Sequence, residues 1–127
     1  MGGCASGTPV GERAVMAIRL ATLPLEELKA LAGISGYPRW AGDVSVSCDL
    51  IDLHLANDDL IEPDDGRDPN KPVPAAEHAG RVAWLVRNVA RDACSLTIRE
   101  GRVQDGNHRL AAAMYRGDAL IRVCFMD

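Results

Sequence analysis

The chain has 127 residues, about one domain's length, of which 47% are apolar and 25% charged. Those proportions exclude a disordered chain, and no apolar run nears the roughly 20 residues that a membrane helix needs. Aromatic residues are only 4%, so the expected core is aliphatic and the chain is poorly equipped to stack single-stranded bases. Residues 1–12 read as a flexible tail. Met1 to Gly7 lack the basic start and apolar centre of a secretory signal. Gly2 and Ser6 match a myristoylation pattern with Cys4 nearby, but no basic cluster follows to supply a second membrane signal, so the tail reading is favoured.

The net charge of −4 is uneven: residues 1–70 carry −7 and residues 71–127 carry +3. A basic C-terminal half suits a small anionic ligand, while the acidic half disfavours an extended polyanion such as duplex DNA. The four cysteines, Cys4, Cys48, Cys94 and Cys124, form no CxxC pair. Their spacing predicts reduced thiols in a cytoplasmic protein and no disulfide.

A strand is expected around Ile18 and Leu20. Pro24 then starts a helix through about Ala32, with Leu25, Leu28 and Leu31 as its apolar stripe and Gly33 as its stop. Residues 34–74 read as a divergent insert. Within it, Val44 to Cys48 alternates weakly as a strand and Cys48 to Leu60 forms a short helix. The run from Glu62 to Pro74 holds four prolines and a glycine, so a loop is expected there, solvated by Asp64, Asp65 and Asp68. Cys48, Asp52 and His54 are metal-competent side chains. Asp52 and His54 stand two apart, which does not share a helix face, so no metal site is assigned to them.

Residues 75–91 give the clearest helical pattern, with Val82, Leu85, Val86 and Val89 on one side. His78 falls on that side and reads as a partly buried, satisfied histidine. Arg81, Arg87 and Arg91 fall away from it and read as a solvated basic face. Cys94, Leu96 and Ile98 alternate as a half-buried strand. Gly101 marks a turn and Val103 resumes a strand. An Ala-rich helix comes next, with Leu110 and Met114 four apart and an end at Gly117. Ile121, Val123 and Phe125 alternate as a last strand.

The informative stretch is Asp105-Gly106-Asn107-His108-Arg109-Leu110-Ala111-Ala112. Asp-Gly alone would suit a hairpin. The residues after Gly106 have high helix propensity, which favours strand, turn and helix instead. A glycine turn feeding a helix N-terminus, with Arg109 in the first turn, can cradle an anion. The residues by themselves leave a capped helix without ligand equally open.

Those eight residues resemble the D-G-x-H-R-x-x-A signature of the ParB/sulfiredoxin-like superfamily. The flanks are similar too: a Pro-started first helix, a helix before the signature and a closing strand after it. The resemblance implies an α+β fold, a small mixed sheet with flanking helices, over most of residues 1–127. It implies that Gly106, Asn107, His108 and Arg109 contact the phosphates of a nucleoside triphosphate, ATP or CTP. Asp105 would place Mg²⁺ through water or accept a proton. A glutamate near the start of the first helix assists in kinase members, where Glu26 or Glu27 stands here. The catalytic set is therefore Asp105, His108 and Glu26. The blander readings are a turn or cap role for Asp105 and a dipole-complementing role for the two glutamates.

Departures from the family narrow the expectation. Sulfiredoxins carry a nucleophilic cysteine where Asn107 stands, so sulfinic-acid reduction is not expected. Partition proteins continue into a helix-turn-helix domain, and only ten residues follow Gly117 here. The expected function is nucleotide phosphate binding, with Mg²⁺-dependent NTP hydrolysis or phosphoryl transfer to a small acceptor. The alternatives are a ParB-like nuclease or DNA-associated accessory protein, and a non-catalytic interaction domain. Expected partners are a small anionic ligand or nucleotide and, more weakly, nucleic acid. No membrane partner is expected, and the reading is compatible with a homodimer.

Overall fold

The computed structural model describes residues 18–63 and 71–126. The expectations for the 1–12 tail, Cys4 and Asp64, Asp65 and Asp68 lie outside them. In chain order the elements are β1 (Ile18–Pro24), α1 (Leu25–Ala32), α2 (Cys48–Ala56), α3 (Ala75–Asn88), β2 (Ser95–Arg99), β3 (Arg102–Asp105), α4 (Asn107–Arg116) and β4 (Leu120–Met126). The fold is α+β, with four helices and one mixed four-stranded sheet in the order β1-β4-β2-β3 among the described residues. β4 pairs antiparallel with β1 and parallel with β2, and β2 pairs antiparallel with β3. No helix among the described residues is long and apolar enough to cross a membrane.

The period-2 pattern divides the sheet into two faces. Leu96, Ile98, Ile121, Val123 and Phe125 are buried and join Leu28, Ile51, Val82, Leu110 and Ala111 to Ala113 in one aliphatic core. The opposite face carries Leu20, Thr22, Arg122, Cys124, Ser95 and Thr97, all exposed or half-buried. β2 and β3 meet through Glu100 and Gly101, both at positive φ (54° and 75°), the two-residue turn whose twist matches paired strands. Gly33 and Gly117 end α1 and α4 in the left-handed conformation, as helix-stop glycines do.

Several expectations need correction. Val44 to Cys48 is not a strand. Trp40 and Val44 form an isolated bridge around a tight turn with Gly42 and Asp43 at positive φ, and Ser47 caps α2 by accepting from the Leu50 amide at 3.2 Å. Within residues 34–63, Val46 and Ile51 belong to the core. α3 ends at Asn88 rather than at residue 91. The Arg116 guanidinium donates to the carbonyls of Val86, Val89 and Ala90, which satisfies acceptors left at the helix end.

Arg81 is not on a solvated face. It is 6% exposed and its guanidinium meets Glu77 at 2.5 Å. A helical wheel assumes one covered face, but α3 packs on both α2 and α4. The segment around Ile61 covers it as well: the Ile61 amide donates to the Gly80 carbonyl at 3.1 Å. A Cβ at Gly80 would lie 2.7 Å from the Ile61 side chain. Arg87 is anchored too, donating to Asp58 at 2.9 Å and to the Leu55 carbonyl at 3.0 Å.

Candidate functional site

The strand–turn–helix expected at residues 103–116 is present. Val103 lies in β3, Gly106 stands at φ 104° and α4 begins at Asn107. The first helical bond runs from the Leu110 amide to the Gly106 carbonyl at 2.8 Å. Gly106 is required twice over. Its φ is left-handed, and a Cβ there would lie 2.7 Å from Leu96 Cβ and 2.9 Å from both Leu96 Cα and the Ser95 carbonyl. The head of α4 is thereby held against β2.

From that head, Arg109 and His108 go to different surroundings, as successive residues about 100° apart on a helix must. Arg109 is exposed and meets no carboxylate among the described residues. It lines a pocket of about 500 Å³ on the open face of the sheet, together with Leu20, Thr22, Ser95, Thr97, Arg122 and Cys124. Arg122 is likewise exposed and meets no carboxylate among the described residues. The pocket therefore holds two guanidinium groups and three hydroxyls, with no acidic residue in its lining.

His108 instead lies beside His78, Nε2 to Nδ1 at 2.9 Å. Their ring centroids are 5.1 Å apart with planes 26° from parallel. With the nitrogens in hydrogen-bond contact, the rings sit edge to edge rather than face to face. Trp40 lies across both, with centroids 4.3 Å from His78 and 4.7 Å from His108. His78 is 1% exposed, more deeply buried than expected.

The other expected site residues are not gathered at the pocket. Asp105 is exposed at the end of β3, opposite Thr97, and is not part of the lining. Glu26 lies in the first turn of α1, where its carboxylate meets Lys29 at 3.4 Å. Asn107 is half-buried at the start of α4.

The metal-competent trio of α2 is split among three partners. Cys48 Sγ lies 3.0 Å from the Tyr37 hydroxyl, Asp52 accepts from the Tyr115 hydroxyl, and buried His54 donates to the Asp59 carbonyl at 2.9 Å. No group of three His, Cys, Asp or Glu suited to a metal occurs among the described residues. The bond to Asp52 holds the neutral phenol, which pushes Tyr115 up to about 12, with burial and the carboxylate charge adding to it. Burial pushes the Cys94 thiol up, against the pull of Arg116 and Arg109.

Arg122, Ser95, Thr97 and Thr22 are the lining residues that sequence reading missed. Alternation against buried Ile121, Val123 and Phe125 puts Arg122 and Cys124 on one side of β4. What no local pattern carried was that β4 lies between β1 and β2. The chain matches no family model, no curated protein and no solved structure.

Proposed function

We propose that the chain binds a phosphate-bearing small molecule, a nucleotide, through Arg109, Arg122 and the Gly106–Arg109 turn. One observation carries this reading: two arginines from separate elements, neither meeting a carboxylate among the described residues, line one pocket. Guanidinium groups without a carboxylate partner are suited to grip phosphate oxygens bidentately. Ser95, Thr97 and Thr22 offer hydroxyl donors beside them. The amides at the head of α4 add donors and positive potential.

The resemblance of Asp105 to Ala112 to the ParB/sulfiredoxin-like signature supports a nucleoside triphosphate, ATP or CTP, and phosphoryl chemistry, either hydrolysis or transfer to a small acceptor. Asp105 is the one carboxylate of that turn, and Mg²⁺ commonly binds one or two carboxylates plus substrate phosphates, so Asp105 would hold Mg²⁺. The ion would neutralise phosphate charge. His108 is held by His78 and Trp40, outside the pocket lining, and takes no step in this reading. Glu26 is a weaker candidate, since its partner is Lys29.

A second reading, a nucleic-acid accessory, draws on Arg99 and Arg102. They are cross-strand neighbours at the far end of the face that carries Arg122. A thermal-shift panel separates the two. Nucleotides with and without Mg²⁺ should raise the melting temperature, by about 2.7 kcal/mol of stabilisation at 100 times Kd. A shift with oligonucleotides alone would favour the second reading, and no shift with any nucleotide would defeat the first.

A further inference from the structure

The pocket floor is a grid set by strand register. Leu20 stands opposite Cys124, which stands opposite Thr97. One step along, Thr22 stands opposite Arg122, which stands opposite Ser95. Arg109 joins on the β2 side, because Gly106 holds the head of α4 against Ser95 and Leu96. Both cations therefore stand over β2 and β4. The β1 end has Leu20 and Thr22 and no charged group in the lining. Leu20 is 77% exposed, an apolar side chain left on the surface at the uncharged end.

From the β2 column to the β1 column is two strand spacings, about 10 Å. That length suits a phosphate joined to one ring-sized body. A volume of about 500 Å³ lies in the usual range for small-molecule sites, roughly 300–1,000 Å³.

We propose that the pocket takes a phosphomonoester whose uncharged, partly apolar body lies across β4 onto Leu20, with Leu20 and Cys124 selecting that body. The inference rests on the phosphate reading of Arg109 and Arg122 and names the ligand class for that site. The anion sits between the two guanidinium groups over Ser95. The body covers the Cys124 thiol and the exposed Leu20 side chain, removing apolar surface from water. A second negative charge at the β1 end would meet no cation in the lining, so bisphosphates with distant phosphates are disfavoured.

The test is calorimetric titration of the full chain with inorganic phosphate, glycerol phosphate and phenyl phosphate. Phenyl phosphate should bind at least tenfold more tightly than glycerol phosphate. Leu20→Asn, at an exposed position, should cut that preference below threefold. Arg122→Ala should weaken all three. Phenyl phosphate should also slow alkylation of Cys124, mapped by mass spectrometry. Equal binding of the phenyl and glycerol esters, or a preference untouched by Leu20→Asn, overturns the inference and leaves the phosphate reading standing. Binding of none of the three probes, while a nucleotide still raises the melting temperature, overturns the inference alone; if no nucleotide acts either, the phosphate reading is defeated and the inference falls with it.

Discussion

Gly106 approaches Leu96 so closely that an added Cβ would lie 2.7 Å from the Leu96 Cβ and 2.9 Å from its Cα. The Leu96 backbone belongs to a central strand and cannot retreat. Gly106→Ala should therefore cost stability through overpacking, about 1–3 kcal/mol, plus the left-handed strain at φ 104°. Gly117→Ala is the matched control. It shares a left-handed φ of 69° but has nothing within 4 Å. Urea unfolding of both variants should show the larger loss at Gly106, and equal losses would contradict the close-approach account.

Arg109→Ala should weaken phosphate or nucleotide binding by about 1.5–3 kcal/mol, the scale of a hydrogen bond to a charged group. Arg109→Lys should restore part of it, because a point charge lacks the planar fork. Stability should change little, since Arg109 is exposed and pairs with no carboxylate among the described residues. Calorimetry and a melting curve on one preparation check both halves. Unchanged affinity would remove Arg109 from the site.

Asp118 should be a stability residue. Its carboxylate is 0% exposed, accepts from the Arg116 guanidinium at 2.8 and 3.0 Å and from the Asp92 amide at 3.1 Å. Asp92 in turn accepts from the amides of Ala119 and Leu120 at 2.8 and 3.0 Å, tying the start of β4 to the α3–β2 connection. Asp118→Ala leaves a largely buried guanidinium with carbonyl acceptors but without this carboxylate, and should cost about 3–5 kcal/mol. Asp118→Asn, which keeps an acceptor oxygen, should cost less. A melting temperature unmoved by Asp118→Ala would show the pair to be incidental.

Both tyrosines should ionise above the ordinary value of 10. Burial raises Tyr37 first, with the Cys48 contact adding to it, and the Asp52 bond raises Tyr115 to about 12. Between those two values the unfolded chain has lost the Tyr115 proton that the folded chain keeps. The unfolded state then binds fewer protons, so stability falls as pH rises from about 10 to about 12. Absorbance at the phenolate band should show no transition centred at 10 in the folded protein. Asp52→Asn should bring Tyr115 down.

The thiols should differ in rate. Cys48 is exposed, Cys124 half-buried and Cys94 buried with its thiol pushed up, and all three are free. Alkylation should proceed in that order. All four cysteines of the chain should titrate in denaturant without reductant.

Much of the chain was legible locally. The elements at 18–32, 75–88 and 94–126 follow from apolar period, glycine stops and the Asp-Gly turn, because each depends on residues a few positions apart. Segment 34–47 was not legible. Its bridge between Trp40 and Val44 is held in a loop whose tryptophan finds its partners, His78 and His108, far along the chain. Arg81 misled for a related reason. A wheel finds the apolar side of one helix but does not count how many neighbours will cover it.

The sequence by itself determined that a glycine turn would feed α4 and that Arg109 would stand in its first turn. Those are matters of backbone conformation and helical phase. Only the tertiary structure decided that Arg109 and Arg122 line one pocket, while His108 lies against His78 and Trp40. The order β1-β4-β2-β3 brings Thr22, Arg122 and Ser95 side by side from three distant stretches of the chain. Burial of the aliphatic face selects that order, and no short-range pattern encodes which buried faces will meet.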